Sequence, residues 1–264
     1  MTTMPEHAEE RLVALLDGIR NACRMVLGDN LVGVYVHGSI VLACFNWQKS
    51  DVDYLIVVRS PLSPTDKLRL MDATVALDRQ APPKGLEMSV VLAQHCRAFL
   101  HPMPFELHFS HIHLAAYTRH PEAYCAAMHG TDADLAAHIA VIRHKGMALC
   151  GEAITTLFAP VPAESYADSI RRDVRDAVPQ ASANPVYAVL TLCRALAFLE
   201  DELILSKYEG GAWGLVALPD DYHALIIAAM QDYAADIPAA MDAALLADFC
   251  AYMLARIMPA ETKP

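Results

Sequence analysis

Long apolar runs, basic residues and paired cysteines are all scarce in this 264-residue sequence. No uninterrupted apolar run reaches the roughly 18 residues that a membrane-spanning helix needs. The seven cysteines are scattered, odd in number and without a C-x-x-C pair, which argues against a disulfide framework and a zinc knuckle. The polar start, MTTMPEHAEE, lacks the basic residues that begin a signal peptide. We therefore expect a cytoplasmic protein with reduced thiols and no membrane partner.

The shortage of basic residues bears on which partners the protein binds. The sequence has 20 Lys and Arg against 31 Asp and Glu, which gives a formal net charge of −11. A nucleic-acid-binding surface usually shows a basic excess, so nucleic acid is disfavoured as a partner. Apolar residues are abundant, at 55% of the chain, which is enough for a substantial core. The chain has no internal repeat or low-complexity linker, and we expect a monomer.

The first hundred or so residues alternate between helical and strand patterns. Apolar residues at helical spacing over 8–26 predict a helix that ends at the Gly28-Asp29-Asn30 sequence. Alternating, β-branched runs predict strands over 31–36, 51–58 and 86–92. Further helices are predicted from Gly38 and over 66–79. This order predicts an α/β (α+β) domain with a mixed sheet over residues 1–115.

After about residue 115 the strand signals nearly vanish, and alanine-rich helical periods dominate. Pro185 fits the first turn of a helix whose apolar stripe includes Val189 and Leu196. We therefore predict an all-α helical bundle domain over residues 116–264.

Two aspartates lie at the start of the strand predicted over 51–58. Because side chains alternate along a strand, Asp51 and Asp53 share one face and can point into the same small volume. Such paired carboxylates suit Mg²⁺, which takes one or two carboxylates together with water and phosphate. Glu87, a lone acid in the apolar run 86–92, is a candidate third ligand or a general base. The alternatives are a solvated strand start for the aspartates and a sheet-edge position for the glutamate.

A Gly38-Ser39 step precedes Asp51 by the length of a short helix and a turn. Glycine lets a phosphate approach the backbone, and the serine hydroxyl adds a donor. Gly-Ser steps are also common turn material, so the step alone is a weak signal. Its combination with Asp51, Asp53 and Glu87 is much more specific, because all four residues can face one site.

These motifs resemble those of the DNA polymerase β-type nucleotidyltransferase superfamily, and within it the aminoglycoside adenylyltransferases that act on streptomycin and spectinomycin. The resemblance covers most of residues 30–220. The shared segments include SDVDYLIV at 50–57, LEMSVV at 86–91, ELHF at 106–109, LCGE at 149–152, LFAPVP at 157–162, LTLCR at 190–194 and SKYEGGAW at 206–213.

The resemblance implies the chemistry and the roles of particular residues. It implies transfer of AMP from ATP to a small-molecule hydroxyl, with an active site between an N-terminal nucleotidyltransferase domain and a C-terminal helical domain. Asp51 and Asp53 would hold two Mg²⁺ ions, and Glu87 would be the base and a further metal ligand. The remaining implied contacts, to the phosphates of ATP, come from Gly38, Ser39, Arg194 and Lys207. Without the resemblance, we would interpret Arg194 as a surface arginine that extends from an apolar helix stripe.

Two positions depart from the pattern of the streptomycin-modifying members. Where those members have a drug-contacting tryptophan, this chain has Ile112. Where they have an aspartate that holds the cationic sugar, this chain has Asn184, which carries no charge to pair with a cation. The resemblance therefore supports nucleotidyl transfer more strongly than it supports an aminoglycoside acceptor.

Several alternatives stay open. The acceptor can instead be a protein or an RNA, or the chain can be a non-catalytic nucleotide sensor or antitoxin-like module. The cluster of His108, His111 and His113 is a candidate zinc site, although its spacing fits no known zinc-ligand pattern. A position in the cleft or on the surface is favoured for His108 and His113. Glu106 is either a cleft carboxylate or a structural salt bridge or cap.

Overall fold

A computed structural model describes residues 8–235 and 241–258. The chain divides into two compact units, one that extends up to Val161 and one that begins at Pro162. We call them the sheet unit and the helical unit. None of the helices in the described ranges is long and apolar enough to cross a membrane. All seven cysteines are free thiols.

The sheet unit contains seven strands and eight α-helices among its described residues. The strands are β1 (Leu31–Val36), β2 (Val52–Val58), β3 (Leu86–Leu92), β4 (Met103–Phe105), β5 (Leu107–Phe109), β6 (Gly130–Asp132) and β7 (Met147–Gly151). The helices are α1 (Ala8–Leu27), α2 (Gly38–Val41), α3 (Pro64–Asp78), α4 (Ala93–Arg97), α5 (Leu114–Arg119), α6 (Pro121–Ala127), α7 (Leu135–Lys145) and α8 (Ile154–Leu157). Short 3-10 helices lie at Gly28–Asn30 and His111–His113.

The main sheet has the strand order β5-β3-β2-β1-β7. Strands β2 and β3 are parallel, whereas the other three pairings are antiparallel, so the sheet is mixed as predicted. The parallel pairing places Asp53 directly beside Glu87 and Leu55 beside Ser89. The predicted strands 31–36 and 86–92 are confirmed, and β2 begins at Val52, one residue after the predicted start.

Each face of the sheet is covered by its own hydrophobic cluster. On one face, residues such as Val34 and Ile56 pack with buried residues of α1 and α3. On the other face, Tyr35 and Leu55 pack with Leu135 and other residues of α7. Because side chains alternate along β2 and β3, Asp53 and Glu87 lie on the α7 face. The rigid strand pair therefore positions the candidate acidic residues.

The two units divide well beyond the boundary predicted at 115/116. Strand β7 lies after that point, yet it pairs antiparallel with β1 and extends the main sheet. Strand β6 pairs with β4 in a second, two-stranded sheet. The sequence pattern missed both strands because they are short and largely exposed, so they show no alternation between buried and exposed positions.

The helical unit is organised around one buried helix. Its described helices are α9 (Ala163–Ala177), α10 (Pro185–Asp201), α11 (Lys207–Ala217), α12 (His223–Ala235) and α13 (Ala243–Ile257), with 3-10 turns at Val178–Gln180 and Asp220–Tyr222. Helix α10 begins at Pro185 as predicted and contacts the other four helices. A Cβ atom at Gly210 would lie 2.9 Å from the Arg194 backbone nitrogen, so α11 approaches α10 closely because this position has no side chain.

Candidate active site

Three carboxylates converge at one end of the β2–β3 pair. Asp51 immediately precedes β2, Asp53 lies within it, and Glu87 lies on β3 beside Asp53. One carboxylate oxygen from each residue lies within 4.8 Å of the other two, and all three residues are partly buried. Three hard oxygen donors at this separation fit Mg²⁺, which would offset their mutual repulsion. The structure therefore brings together the three acids that the sequence singled out.

The turn before α2 packs directly against this carboxylate cluster. Gly38 has a φ of +65°, a left-handed conformation that favours glycine. A Cβ atom here would lie only 1.9 Å from Asp53 Oδ2, so no other residue fits without moving that carboxylate. The hydroxyl oxygen of Ser39 is buried and has no hydrogen-bond partner. A buried hydroxyl without a hydrogen bond is unfavourable, and a bound ligand could supply the missing partner.

The surroundings of Glu87 shift its protonation. Burial is the largest effect and raises the pKa of Glu87, because the charged form loses hydration. The neighbouring His138 lowers this pKa, whereas Asp51, Asp132 and Asp134 raise it further. The net pKa is raised, so the carboxylate is a stronger base than an exposed glutamate.

Two stacked histidines lie next to the carboxylates. His37, at the end of β1, is buried, and its backbone N–H donates to the Asp53 carbonyl at 3.1 Å. Its ring stacks on the ring of His138 from α7, with 4.5 Å between centroids. Burial, and then His138, lowers the pKa of His37 well below its ordinary value, so His37 is neutral.

The three clustered histidines of the sequence do not converge on one point. His108 Nδ1 lies 2.9 Å from Ser89 Oγ, and the rings of His108 and His113 are 5.6 Å apart. His111 instead pairs with the buried Asp78 at 2.8 Å. Among the described residues, the cluster of three or more potential metal ligands is the set of three carboxylates, so the zinc hypothesis gains no support.

Glu106 has a structural contact. Its Oε2 accepts a hydrogen bond from the Leu62 backbone N–H at 3.3 Å. This contact links the residue between β4 and β5 to the loop before α3 and agrees with the structural alternative considered for Glu106.

The two predicted basic residues belong to the helical unit and lie near each other there. Arg194 on α10 donates from Nη2 to Asp173 Oδ2 at 3.3 Å. Lys207, the first residue of α11, places its Nζ 4.7 Å from the centroid of the Tyr187 ring. Asp173 and Tyr187 are also hydrogen-bonded, so the four side chains form one connected group.

The two positions that depart from the streptomycin-modifying pattern are both accessible. Ile112 is 85% exposed on the 3-10 helix before α5. Asn184 is the N-terminal cap position of α10, and its side chain makes no capping hydrogen bond. Neither side chain is used to hold its own helix together.

Sequence reasoning missed several residues around these groups. His138, Asp132 and Asp134 influence Glu87 although they lie about fifty residues later in the sequence. A usable signal for His138 was its position between Leu135 and Ile139 on the buried side of α7. Asp173 and Tyr187 carried no recognisable local motif, because a tertiary contact between α9 and α10 brings them together.

Sequence comparison finds similarity to aminoglycoside and spectinomycin adenylyltransferases. The family profile described as "Aminoglycoside adenylyltransferase, C-terminal domain" matches residues 156–256. An aminoglycoside (3'') (9) adenylyltransferase of Klebsiella pneumoniae is 25% identical over 218 residues, which are 78% of this chain and 79% of that protein. A spectinomycin 9-adenylyltransferase of Enterococcus faecalis is 21% identical over 223 residues, 83% and 86% of the two chains.

A solved structure shows the same fold. The crystal structure of an enterococcal spectinomycin adenyltransferase, AAD(9), with ATP and spectinomycin superimposes with a TM-score of 0.77. The match is 18% identical in sequence and covers 93% of this chain and 98% of that one. The chain is thus similar to aminoglycoside adenylyltransferases over most of its length and shares their fold of a mixed-sheet unit and a helical unit, which supports a nucleotidyltransferase enzyme.

Proposed function

We propose that this protein transfers AMP from ATP to a hydroxyl group of an aminoglycoside-type antibiotic. The observation that carries the proposal is the convergence of Asp51, Asp53 and Glu87 within 4.8 Å. The named relatives, which are adenylyltransferases of aminoglycosides and spectinomycin, supply the expected class of donor and acceptor.

Two Mg²⁺ ions are the cofactors we propose for this cluster. Asp51, Asp53 and Glu87 would hold them, since each contributes a carboxylate oxygen to the cluster. When bound, the ions would offset negative charge on the phosphates and orient the reacting groups for in-line displacement.

Glu87 is the proposed general base. Its carboxylate lies beside Asp51 and Asp53, where it can take the proton from the acceptor hydroxyl. The acceptor oxygen forms a bond to the α-phosphorus of ATP while the bond from that phosphorus to the bridging oxygen breaks. Pyrophosphate leaves, and the proton stays on Glu87.

The triphosphate contacts are proposed for residues of both units. Gly38 leaves room for a close approach to the backbone beside Asp53, and the Ser39 hydroxyl has an unused hydrogen-bonding capacity. Arg194 and Lys207 supply positive charge, and a guanidinium can bind phosphate oxygens with two parallel hydrogen bonds. These four residues would bind ATP and orient its phosphates.

Spectinomycin is the acceptor that we expect to react better than streptomycin. The enterococcal sequence and the solved enterococcal structure to which the chain is similar are both named for spectinomycin. The positions at which streptomycin-modifying members have a tryptophan and an aspartate are occupied here by Ile112 and Asn184. The loss of a charged partner for a cationic sugar disfavours streptomycin.

The test is release of pyrophosphate from ATP in the presence of Mg²⁺ and either spectinomycin or streptomycin. We expect acceptor-dependent release with the wild-type protein and a loss of at least about 100-fold in Glu87→Gln, because removal of a positioned general base typically costs two to four orders of magnitude. Glu106→Gln is the matched control, since it changes a carboxylate of the same unit that has a structural contact.

Other results would redirect the proposal. Transfer of labelled AMP to a polypeptide or an RNA, with no reaction of either antibiotic, would establish a macromolecular acceptor. Tight ATP binding without pyrophosphate release from any acceptor would favour a nucleotide sensor. Equal activity of the Glu87→Gln and Glu106→Gln variants would remove Glu87 from the chemistry.

A further inference from the structure

In the helical unit, Asp173 connects Arg194, Tyr187 and Lys207. Its Oδ2 accepts a hydrogen bond from Arg194 Nη2 at 3.3 Å, and its Oδ1 accepts one from the Tyr187 hydroxyl at 2.6 Å. The Asp173 and Arg194 side chains are only 27% and 26% exposed, so solvent screens their interaction less than that of a surface pair. One carboxylate therefore fixes two neighbouring side chains of α10.

The protonation states of Arg194 and Tyr187 follow from their surroundings. Burial lowers the pKa of Arg194, but Tyr166, Asp173, Tyr187 and Tyr233 raise it, and the net pKa is raised. Burial, followed by Asp173, raises the pKa of Tyr187. The guanidinium consequently stays charged, and the phenol keeps the proton that it donates to Asp173.

Tyr187 extends this connection to the second basic residue. Lys207 Nζ lies 4.7 Å from the centroid of the Tyr187 ring, a cation–π distance. The backbone of Lys207 is itself fixed, because Ser206 and Glu209 form a reciprocal capping box at the start of α11. Asp173 thus contacts Arg194 directly and Lys207 through an aromatic ring that it holds in place.

We propose that Asp173 is a positioning residue that holds Arg194, Tyr187 and Lys207 in one preformed array for the outer phosphates of ATP. This inference rests on the proposed function, in which Arg194 and Lys207 bind the triphosphate. The physical reason is entropic: long basic side chains lose rotamer freedom when they bind an anion, and a carboxylate that restrains them beforehand reduces that cost. The four named side chains together carry a net positive charge, since they comprise two cations, one carboxylate and one neutral phenol.

The test measures binding of ATP and of AMP by calorimetry in the presence of Mg²⁺, with full-length protein. We expect Asp173→Asn to weaken ATP binding about tenfold and to change AMP binding less than twofold, because AMP lacks the outer phosphates. A purely structural role would instead lower the melting temperature or affect both nucleotides equally. Asp173→Glu should restore part of the ATP affinity.

Two further variants keep the test decisive. Tyr187→Phe removes the hydroxyl that donates to Asp173 and retains the ring next to Lys207, so we expect a loss of about threefold for ATP. Asp168→Asn is the matched control, because Asp168 also pairs with an arginine on α9, at 2.9 Å from Arg172, but outside the array. It should leave ATP binding unchanged.

The outcomes separate this inference from the proposed function. If wild-type protein binds ATP and Arg194→Ala weakens that binding, but Asp173→Asn leaves it unchanged or tightens it, the positioning role is wrong and the proposed function survives. Tighter binding is the result expected if Asp173 only repels the phosphates. If wild-type protein does not bind ATP, both proposals fail.

Discussion

The two units of the chain fix their charged residues in different ways. In the sheet unit, Asp53 and Glu87 lie side by side because the parallel register of β2 and β3 places them there. In the helical unit, Arg194 and Lys207 belong to different helices and are connected by Asp173 and Tyr187. Short carboxylates on paired strands need only the backbone to bring them together. Long basic side chains need other side chains to restrain them, because each carries roughly 1.5–2 kcal/mol of rotamer entropy.

The largest expected effect comes from displacing Asp53 in the carboxylate cluster of the sheet unit. Gly38→Ala adds a methyl group that would lie 1.9 Å from Asp53 Oδ2, and it does so at a φ of +65°. The carboxylate must move, and a displacement of about 1 Å at a reacting centre can cost about 100-fold in rate. We expect pyrophosphate release to fall by about that factor. Gly28→Ala, which has a φ of +49° and no atom near its Cβ position, controls for backbone strain alone. Equal losses in the two variants would contradict the packing argument.

The second prediction separates the units by their response to acid. The three histidines whose pKa burial lowers, His37, His108 and His113, all belong to the sheet unit. Burial, and then His113, lowers the pKa of His108 to about 4. Between pH 6.5 and 4 the unfolded chain binds a proton that folded His108 does not bind, so stability falls as the pH falls through this window. At pH 5 this one group costs about 2 kcal/mol.

His108→Asn tests this acid sensitivity. Asparagine can still hydrogen-bond to Ser89 but cannot be protonated, so the variant should lose about 2 kcal/mol less stability than wild type between pH 7 and pH 5. Urea unfolding at the two pH values measures the difference. His223→Asn, in the helical unit, is the comparison variant. A pH dependence that is the same in wild type and His108→Asn would contradict the prediction.

A smaller effect on ATP affinity is expected when the shape, but not the charge, of the Arg194 side chain is changed. Arg194→Lys keeps one positive charge but removes the planar fork that can contact both Asp173 and a phosphate. We expect ATP affinity to fall about tenfold, measured by calorimetry with Mg²⁺. The effect should be much smaller in Arg172→Lys, whose salt bridge to Asp168 is exposed. Unchanged ATP affinity in Arg194→Lys would show that charge alone is sufficient.

The smallest effect compares equivalent helix caps in the two units. Ser63 accepts the Asp66 N–H at the start of α3, and Ser206 accepts the Glu209 N–H at the start of α11, both at 3.1 Å. Replacement of either serine by alanine should cost about 1 kcal/mol of stability, measured by thermal unfolding. Only Ser206→Ala should also weaken ATP binding, about twofold, because Lys207 follows it directly. A loss of ATP affinity in Ser63→Ala as well would contradict this division.

The sequence predicted the convergence of the three carboxylates in the sheet unit because the relevant signals are local. Alternation along β2 and β3 showed which carboxylates share a face, and Gly38-Ser39 marked the adjacent turn. It could not show His138 or Asp132, since their proximity to Glu87 depends on where α7 and β6 pack. In the same way, the link from Asp173 to Arg194 and Tyr187 joins α9 to α10 and has no signature in either helix alone.

The limits of the units were harder to predict than their contents. Helix α10 and its first-turn Pro185 were predicted correctly, because the apolar stripe and the proline act within one helix. Strand β7 was missed, since most of its five residues are exposed and its partner β1 lies more than a hundred residues earlier. The sequence distance removed any local sign that residues 147–151 belong to the sheet.

Strand β7 also covers one side of strand β1. Strand β1 has hydrogen-bonded neighbours on both sides, β2 on one and β7 on the other. A fragment cut after residue 115 would keep β1 but lose β7, and the unpaired N–H and C=O groups of β1 would form an open edge on which another copy can add a strand. A fragment that ends at Val161 retains this covering strand. The residues that cover β1 thus also determine where the sheet unit can be shortened without exposing that strand.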